Sequence, residues 1–124
     1  MHNGIVINKI AAGAIPAYSI VKQGADSDHI VAAAAVSDLF IGVTMELDAA
    51  LGDRADVQMG GIAYVVAGAA IPYGTPVTSN ATGQAVAAAP AAGVNNTVVG
   101  RALESASAAG DVIRVLLGLG TIQG

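Results

Sequence analysis

One stretch of this chain occurs twice. Gly42–Met59, GVTMELDAALGDRADVQM, returns fifty-eight positions later as Gly100–Leu117, GRALESASAAGDVIRVLL. Gly42 meets Gly100, Glu46 meets Glu104, Ala50 meets Ala108, and Gly52-Asp53 meets Gly110-Asp111. Apolar positions agree as well: Met45 with Leu103, Ala55 with Ile113, Val57 with Val115, Met59 with Leu117. The likeness runs upstream, where Ala14-Ile15-Pro16 leading to Val21 matches Ala70-Ile71-Pro72 leading to Val77, and His29–Ala34 matches Gln84–Ala89. The register shifts slightly between blocks, as it does when loops change length. The chain therefore reads as two copies of one unit, 14–59 and 70–117. Two copies are too few for a solenoid, so the units are expected to fold against each other in a single β domain, 14–117. Chance likeness between Ala- and Gly-rich segments is the alternative, and the shared order of the blocks argues against it.

Within each copy the pattern is that of short strands broken by turn residues. Gly4–Ile10, GIVINKI, is β-branched and reads as a strand or an extended arm, so that residues 1–13 form an N-terminal arm or first strand. Ser19–Lys22, His29–Val36, Leu39–Glu46 and Ala55–Met59 follow as strands, with Leu47–Gly52 as a single helical turn. Gly60-Gly61 turns the chain, and Ile62–Ala67, apolar throughout, is expected to be buried on both faces. The second copy repeats the series: Val77-Thr78, Gln84–Ala88, Thr97–Glu104 and Asp111–Leu117. Pro72 to Pro76 is excluded from central strand because proline lacks a ladder donor. The glycine-rich Gly118–Gly124 is expected to be a loosely held tail. Strands at this spacing indicate a mainly β protein, a small antiparallel β-barrel or sandwich with little helix.

Charge narrows the function. Only 11% of residues are charged, where about 25% is usual in soluble domains. No Asp, Glu, Lys or Arg stands between Asp56 and Arg101. So little charge cannot cover the outside of a small domain, and large apolar patches mark interaction surfaces. Part of the surface is therefore expected to lie against other chains, although Thr75–Gln84 is polar enough to stand as ordinary surface. The net charge of −4 and scattered basic residues argue against nucleic acid as a partner. Without cysteine there is no disulfide, thiol nucleophile or thiolate metal ligand. No membrane partner is expected either: the longest apolar stretch, Met59–Ile71, is interrupted by three glycines and falls short of the about 20 residues a spanning helix needs. The first residues lack the pattern of a signal peptide.

No catalytic constellation emerges. Asp26-Ser27-Asp28-His29 is the one cluster of ligand-type side chains, and His2 is the only other histidine. A carboxylate and an imidazole can hold a metal, but this sequence is also that of a solvated turn with Asx bonding, which is the favoured reading. Asp53 and Asp111 each follow a glycine; paired carboxylates can do acid–base work, yet equivalent positions in a duplication point to a repeated turn cap. Glu46 and Glu104 are equivalent too, and Arg54 and Arg101 are expected to pair with them or with a partner chain. Gly118-Leu119-Gly120 lacks the following helix a nucleotide-binding loop requires. Asn80-Ala81-Thr82 and Asn95-Asn96-Thr97 fit the glycosylation triplet only incidentally. The expectation is a non-enzyme with neither cofactor nor metal.

The arm, the Ile15-Pro16…Val21 and Ile71-Pro72…Val77 entries, Ile41-Gly42-Val43, Met59-Gly60-Gly61-Ile62, Val99-Gly100 and Gly110–Leu117 together resemble the capsid decoration, or cement, proteins of tailed bacteriophages. The likeness spans about 4–117. It implies a structural virion protein that binds the outer surface of an expanded head and stabilises it, commonly as a trimer at local three-fold positions. Its partners would be the major capsid protein and its own copies, and no catalytic residues carry over. The arm of such proteins often touches the shell, which makes Gly4, Ile5, Val6, Ile7 and Asn8 the expected capsid contacts, through strand addition. An ordinary first strand is the competing reading for the same residues. The alternative function is a β-clip-like or sugar-binding module of a head fibre or adhesin. The small aromatic set, Tyr18, Phe40, Tyr64 and Tyr73, weighs against a sugar platform.

Overall fold

The computed structural model describes residues 5–26, 28–45, 48–90 and 92–123. Ten strands are formed and, among the described residues, no helix. They are β1 (Val6–Ala11), β2 (Ile20–Gln23), β3 (His29–Ala32), β4 (Phe40–Thr44), β5 (Arg54–Gln58), β6 (Gly61–Val66), β7 (Pro76–Ser79), β8 (Ala85–Ala87), β9 (Asn95–Ala102) and β10 (Val112–Gln123). The first five close into a barrel in the order β1-β3-β2-β4-β5. The last five form a sheet in the order β6-β10-β9-β7-β8. Read around the ring from β1 or β6, the two orders are the same. The second ring is bridged at its gap by a single parallel pair, Ala67 with Ala85, the counterpart of Ala11 with Ile30 in the first.

The duplication is thus a duplication of pairing. Asn8 pairs Asp56 as Tyr64 pairs Arg114; Ile10 pairs Arg54 as Val66 pairs Val112. Ile15 and Ala49 exchange main-chain bonds, and so do Ile71 and Ala106. The interiors correspond as well. Ala11, Ile15, Val21, Ile30, Ala49, Ala55 and Val57 fill the first barrel. Ala67, Ile71, Val77, Ala85, Ala106, Ile113 and Val115 take the same stations in the second. One exchange stands out: Ile30 and Ala55 of the first barrel become Ala85 and Ile113 of the second. Large and small trade places, which conserves core volume, the condition under which cores tolerate substitution.

Strand periodicity explains how the barrels join. Val21 points into the first barrel, so its neighbour Ile20 points out. Ile20, Ala33, Phe40 and Val43 are buried against the second barrel's core rather than their own. Main-chain bonds cross the same seam: Ile20 N–H to Gly83 O at 2.8 Å, Val66 N–H to Tyr18 O at 3.0 Å and Thr97 N–H to Val36 O at 2.7 Å. Gln58 adds its amide, which donates to Gly60 O and Ile62 O.

Several expectations are corrected. The repeated unit does not begin at residue 14, because β1 and β6 occupy equivalent places and belong to it. Gly118–Gln123 is not a loose tail: β10 continues through it, shifting register between Leu117 and Gly120 and then pairing Gly120–Gln123 with β9. A bulge lets glycine sit in a strand. The strand from His29 stops at Ala32, because Asp38 draws the chain into a turn by accepting the Ala34 and Ala35 N–H groups. The helical turn at Leu47–Gly52 is absent from its described part; Ala49 bridges to Ile15, and Leu51-Gly52 form a tight turn. Pro76 opens β7, where a strand's first residue needs no ladder donor. β1 and β3 run parallel, as does the Ala67–Ala85 bridge, in departure from the antiparallel pairing expected.

Candidate functional site

The expected contact residues at the N-terminus divide. Gly4 lies outside the described residues, as do His2, Ser27, Glu46 and Leu47. Ile5 is 66% exposed, Val6 and Ile7 are half-buried, and Asn8 is exposed. From Val6 to Ile10 the chain pairs with β5, so this segment closes the barrel rather than swinging free of it. Among the described residues its other side is open for most of its length, since β3 meets β1 there at Ile10 and Ala11. The direction of the main chain follows from alternation. Ile10 N–H donates to Asp28 O on the β3 side, whereas Ala11 N–H donates to Asp53 O on the β5 side. Val6 and Asn8 share the orientation of Ile10, so their peptide groups face the open side. Such an edge is a template for a further strand. Beside it, Asn8 holds a polar network, donating to Asp56 Oδ1 at 3.1 Å and accepting from Arg54 at 2.8 Å.

The outward face of β6 and β10 was missed by the sequence reasoning, which placed Ile62–Ala67 inside on both faces. The strand instead alternates: Ala63 and Val65 are buried, while Ile62 and Tyr64 are 37% and 51% exposed. Across from them on β10, Val112 and Leu116 are 46% and 47% exposed. Leu116 pairs Ile62, and Arg114 pairs Tyr64. Glu104 Oε2 accepts both the Arg114 N–H at 2.8 Å and the Nε at 3.0 Å. These bonds hold the Glu104 carboxyl below the usual carboxylate range. Beyond Leu116 the face runs into a shallow groove beside the β10 bulge, lined by Pro76, Arg101, Leu117, Gly118, Thr121 and Ile122. The aligned copies carried a signal for this face: Asp56 and Gln58 of the first become Arg114 and Leu116 of the second.

The remaining candidates resolve into turn chemistry. His29 Nδ1 lies 2.6 Å from Asp26 Oδ1, and the Asp28 N–H donates to the same oxygen at 3.0 Å. The bond to His29, with that N–H, lowers the Asp26 pKa. Among the described residues no group of three or more His, Cys, Asp or Glu gathers. Asp53 and Asp111 sit in separate barrels with the same task. Asp53 Oδ2 accepts the Ala50 N–H at 3.0 Å. Asp111 Oδ2 accepts the Ser107 N–H and hydroxyl and the Ala108 N–H, which lowers its pKa, the Ser107 N–H foremost. Glu104 is paired by Arg114 rather than by either of the arginines proposed for it: Arg101 donates to Gly74 O, and Arg54 to Asn8. Asn80 accepts the Thr82 and Gln84 N–H groups and so ties its own turn. Tyr18 and Tyr64 meet edge-on with centroids 6.1 Å apart, Phe40 is buried, and Tyr73 is exposed on a turn.

Known proteins meet this geometry at two points. The solved N base of the head fibre gp8.5 of bacteriophage phi29 has a similar fold, with a TM-score of 0.71 over 97% of this chain and 98% of that one, at 22% identity. No curated protein matches the chain. A family model described as phage cement protein matches residues 1–117. The chain therefore belongs to the phage cement protein family.

Proposed function

We propose that this protein binds the outer surface of an expanded phage head and stabilises it, as trimers at local three-fold sites. Its partners are the major capsid protein and its own copies, and its task needs no catalysis. Family membership supports a structural, capsid-associated role. The observation that carries the finer reading is the open side of β1. There the Val6 and Asn8 peptide groups, with Ile5 exposed beside them, offer main-chain bonds to a strand of the shell. Gly4, Ile5, Val6, Ile7 and Asn8 are the proposed contact. Many copies on one lattice would multiply a contact that is weak singly.

Co-sedimentation with undecorated heads tests this. Saturable binding to expanded heads, in threes per local three-fold site, and none to unexpanded heads is expected; equal binding to both, or to neither, sinks it. A second reading, the base of a head fibre with a β-clip-like or sugar-binding role, is favoured by the fold shared with the phi29 head-fibre base. Binding on a glycan array with no affinity for heads would move the assignment there.

A further inference from the structure

The two barrels provide an internal control for reading the surface. Equivalent outward positions share the same strand pairing, so differences between them point to what surrounds each face, although Tyr64 also meets Tyr18 edge-on within the chain. On the first barrel these positions carry Asn8, Asp56 and Arg54, joined by hydrogen bonds and open to water. On the second they carry Tyr64, Arg114 and Val112, with Ile62 and Leu116 alongside. The first copy shows that the fold accepts exposed polar residues at the Tyr64, Arg114 and Val112 stations, while the counterparts of Ile62 and Leu116 are half-buried Val6 and buried Gln58. The second copy nonetheless exposes four large apolar side chains in two adjacent rows, more than the scattered single residues normal on a monomer.

Charge divides the same way. Seven of the nine acidic residues and three of the five basic ones precede Gly60, so the first half carries the whole net charge of −4 and the second half none. Arg114, the charge at the centre of the apolar rows, is already paired with Glu104 in its own chain. The face can therefore leave water without stranding an unmatched charge, the condition that makes burial of ionic groups tolerable. An uncharged, internally satisfied apolar face is complementary to another like itself. First barrels brought together would instead meet like charge.

From this juxtaposition of paired stations we infer that the outward face of β6 and β10 packs against a second copy of this chain. It follows that the first barrel, whose β1 edge is the proposed shell contact, is left free of chain–chain contacts. The inference deepens the proposed trimer, and rests on that reading for its setting on the head, by naming the surface through which copies meet.

The chain has no cysteine, so one introduced thiol can carry a photoreactive label at a known place. Leu116→Cys, with Tyr64→Cys as a second variant should the first misfold, is labelled with benzophenone maleimide and irradiated. This is done with the full chain, both concentrated in solution and bound to expanded heads. Asp56→Cys, on the first barrel, is the control. The expected result is a chain–chain product from the β6–β10 labels, several-fold above the control, in either setting. A product with the shell protein alone, no product in both settings, or equal yield from Asp56→Cys overturns the inference. Head binding is scored separately. Chain–chain product without head binding would retire the cement function and keep the interface; head binding with a shell-only product would do the reverse.

Discussion

A methyl group on Gly100 would lie 2.2 Å from the Leu116 carbonyl oxygen, closer than any real contact. Gly42 stands in the same relation to Gln58, at 2.3 Å. In both barrels the fourth strand of the unit therefore touches the fifth with room for hydrogen alone. Gly42→Ala and Gly100→Ala are each expected to cost about 2 kcal/mol, since backbone must move to admit the carbon. Gly13→Ala, where nothing lies within 4 Å, should stay within about 0.5 kcal/mol. Urea unfolding midpoints decide it; a neutral Gly100→Ala would refute the packing argument.

The exchange of Ile30 and Ala55 for Ala85 and Ile113 makes a reciprocal test. Ile30→Ala should lose about 2–5 kcal/mol to a cavity, and Ala55→Ile about 1–3 kcal/mol to overpacking. The double variant recreates the second barrel's arrangement inside the first. It is expected to be more stable than Ile30→Ala alone by about 1 kcal/mol or more, a coupling that a double-mutant cycle reads directly.

Acid should loosen the protein. Asp111, Glu104 and Asp26 are held below their ordinary values by the Ser107 N–H, the Arg114 N–H and His29 respectively. Burial pushes Asp38 up, but the Ala34 N–H and Lys22, whose ammonium is 3.1 Å away, bring it lower on balance. Such groups bind their proton less readily folded than unfolded. Their stabilisation is full above the ordinary carboxylate value of about 4 and is lost progressively as pH falls below it and through their lower folded values. Melting temperature should decline as pH is taken from about 5 to 3. Asp111→Asn should start lower at neutral pH and decline less; an unchanged slope would exclude Asp111 as a contributor.

Proline separates the two edges of β1. Val6 directs its N–H to the open side, so Val6→Pro removes a donor that the barrel does not use. Unfolding should shift by no more than about 1 kcal/mol, while binding to expanded heads weakens at least several-fold. Retained binding would remove the β1 edge from the contact. Deleting residues 1–11, by contrast, takes out the strand that closes the barrel, and loss of cooperative unfolding is expected.

What the sequence disclosed follows the backbone. Gly42 and Gly100 are fixed by steric contact, and Gly52-Asp53 and Gly110-Asp111 by turns with Gly52 at φ 87° and Gly110 at φ 95°. Constraints of this kind survive duplication and align by eye. The kinship of β1 with β6 did not show, because their outward side chains answer to different surroundings: Asn8 to a polar network, Tyr64 to exposed apolar rows. The continuation of β10 was hidden by Gly118 and Gly120, which depress strand propensity, while the pairing with β9 that overrides them resumes only after a register shift. Tyr18 adopts a left-handed conformation at φ 57°, which no side-chain pattern announces. Its counterpart is Gly74, at φ 83°, and only that alignment hints at the turn. The two-sided burial expected for Ile62–Ala67 failed for another reason. Exposed apolar residues such as Ile62 and Tyr64 read in sequence like residues that face a core.

Ring order also governs how the molecule is born. In each barrel the opening strand finds its long partner only in the last strand of the same unit, β1 in β5 and β6 in β10. Neither ring can close locally, and contacts so distant along the chain make folding slow. The timing is unequal, however. The first ring's strands are complete once Gln58 has emerged, whereas the second also needs β10, up to Gln123, and Ile62 and Tyr64 stay exposed after it forms. The exposed apolar rows of β6 and β10 thus lie on the half that is completed last. Self-assembly and misassembly during synthesis would compete for the same surface.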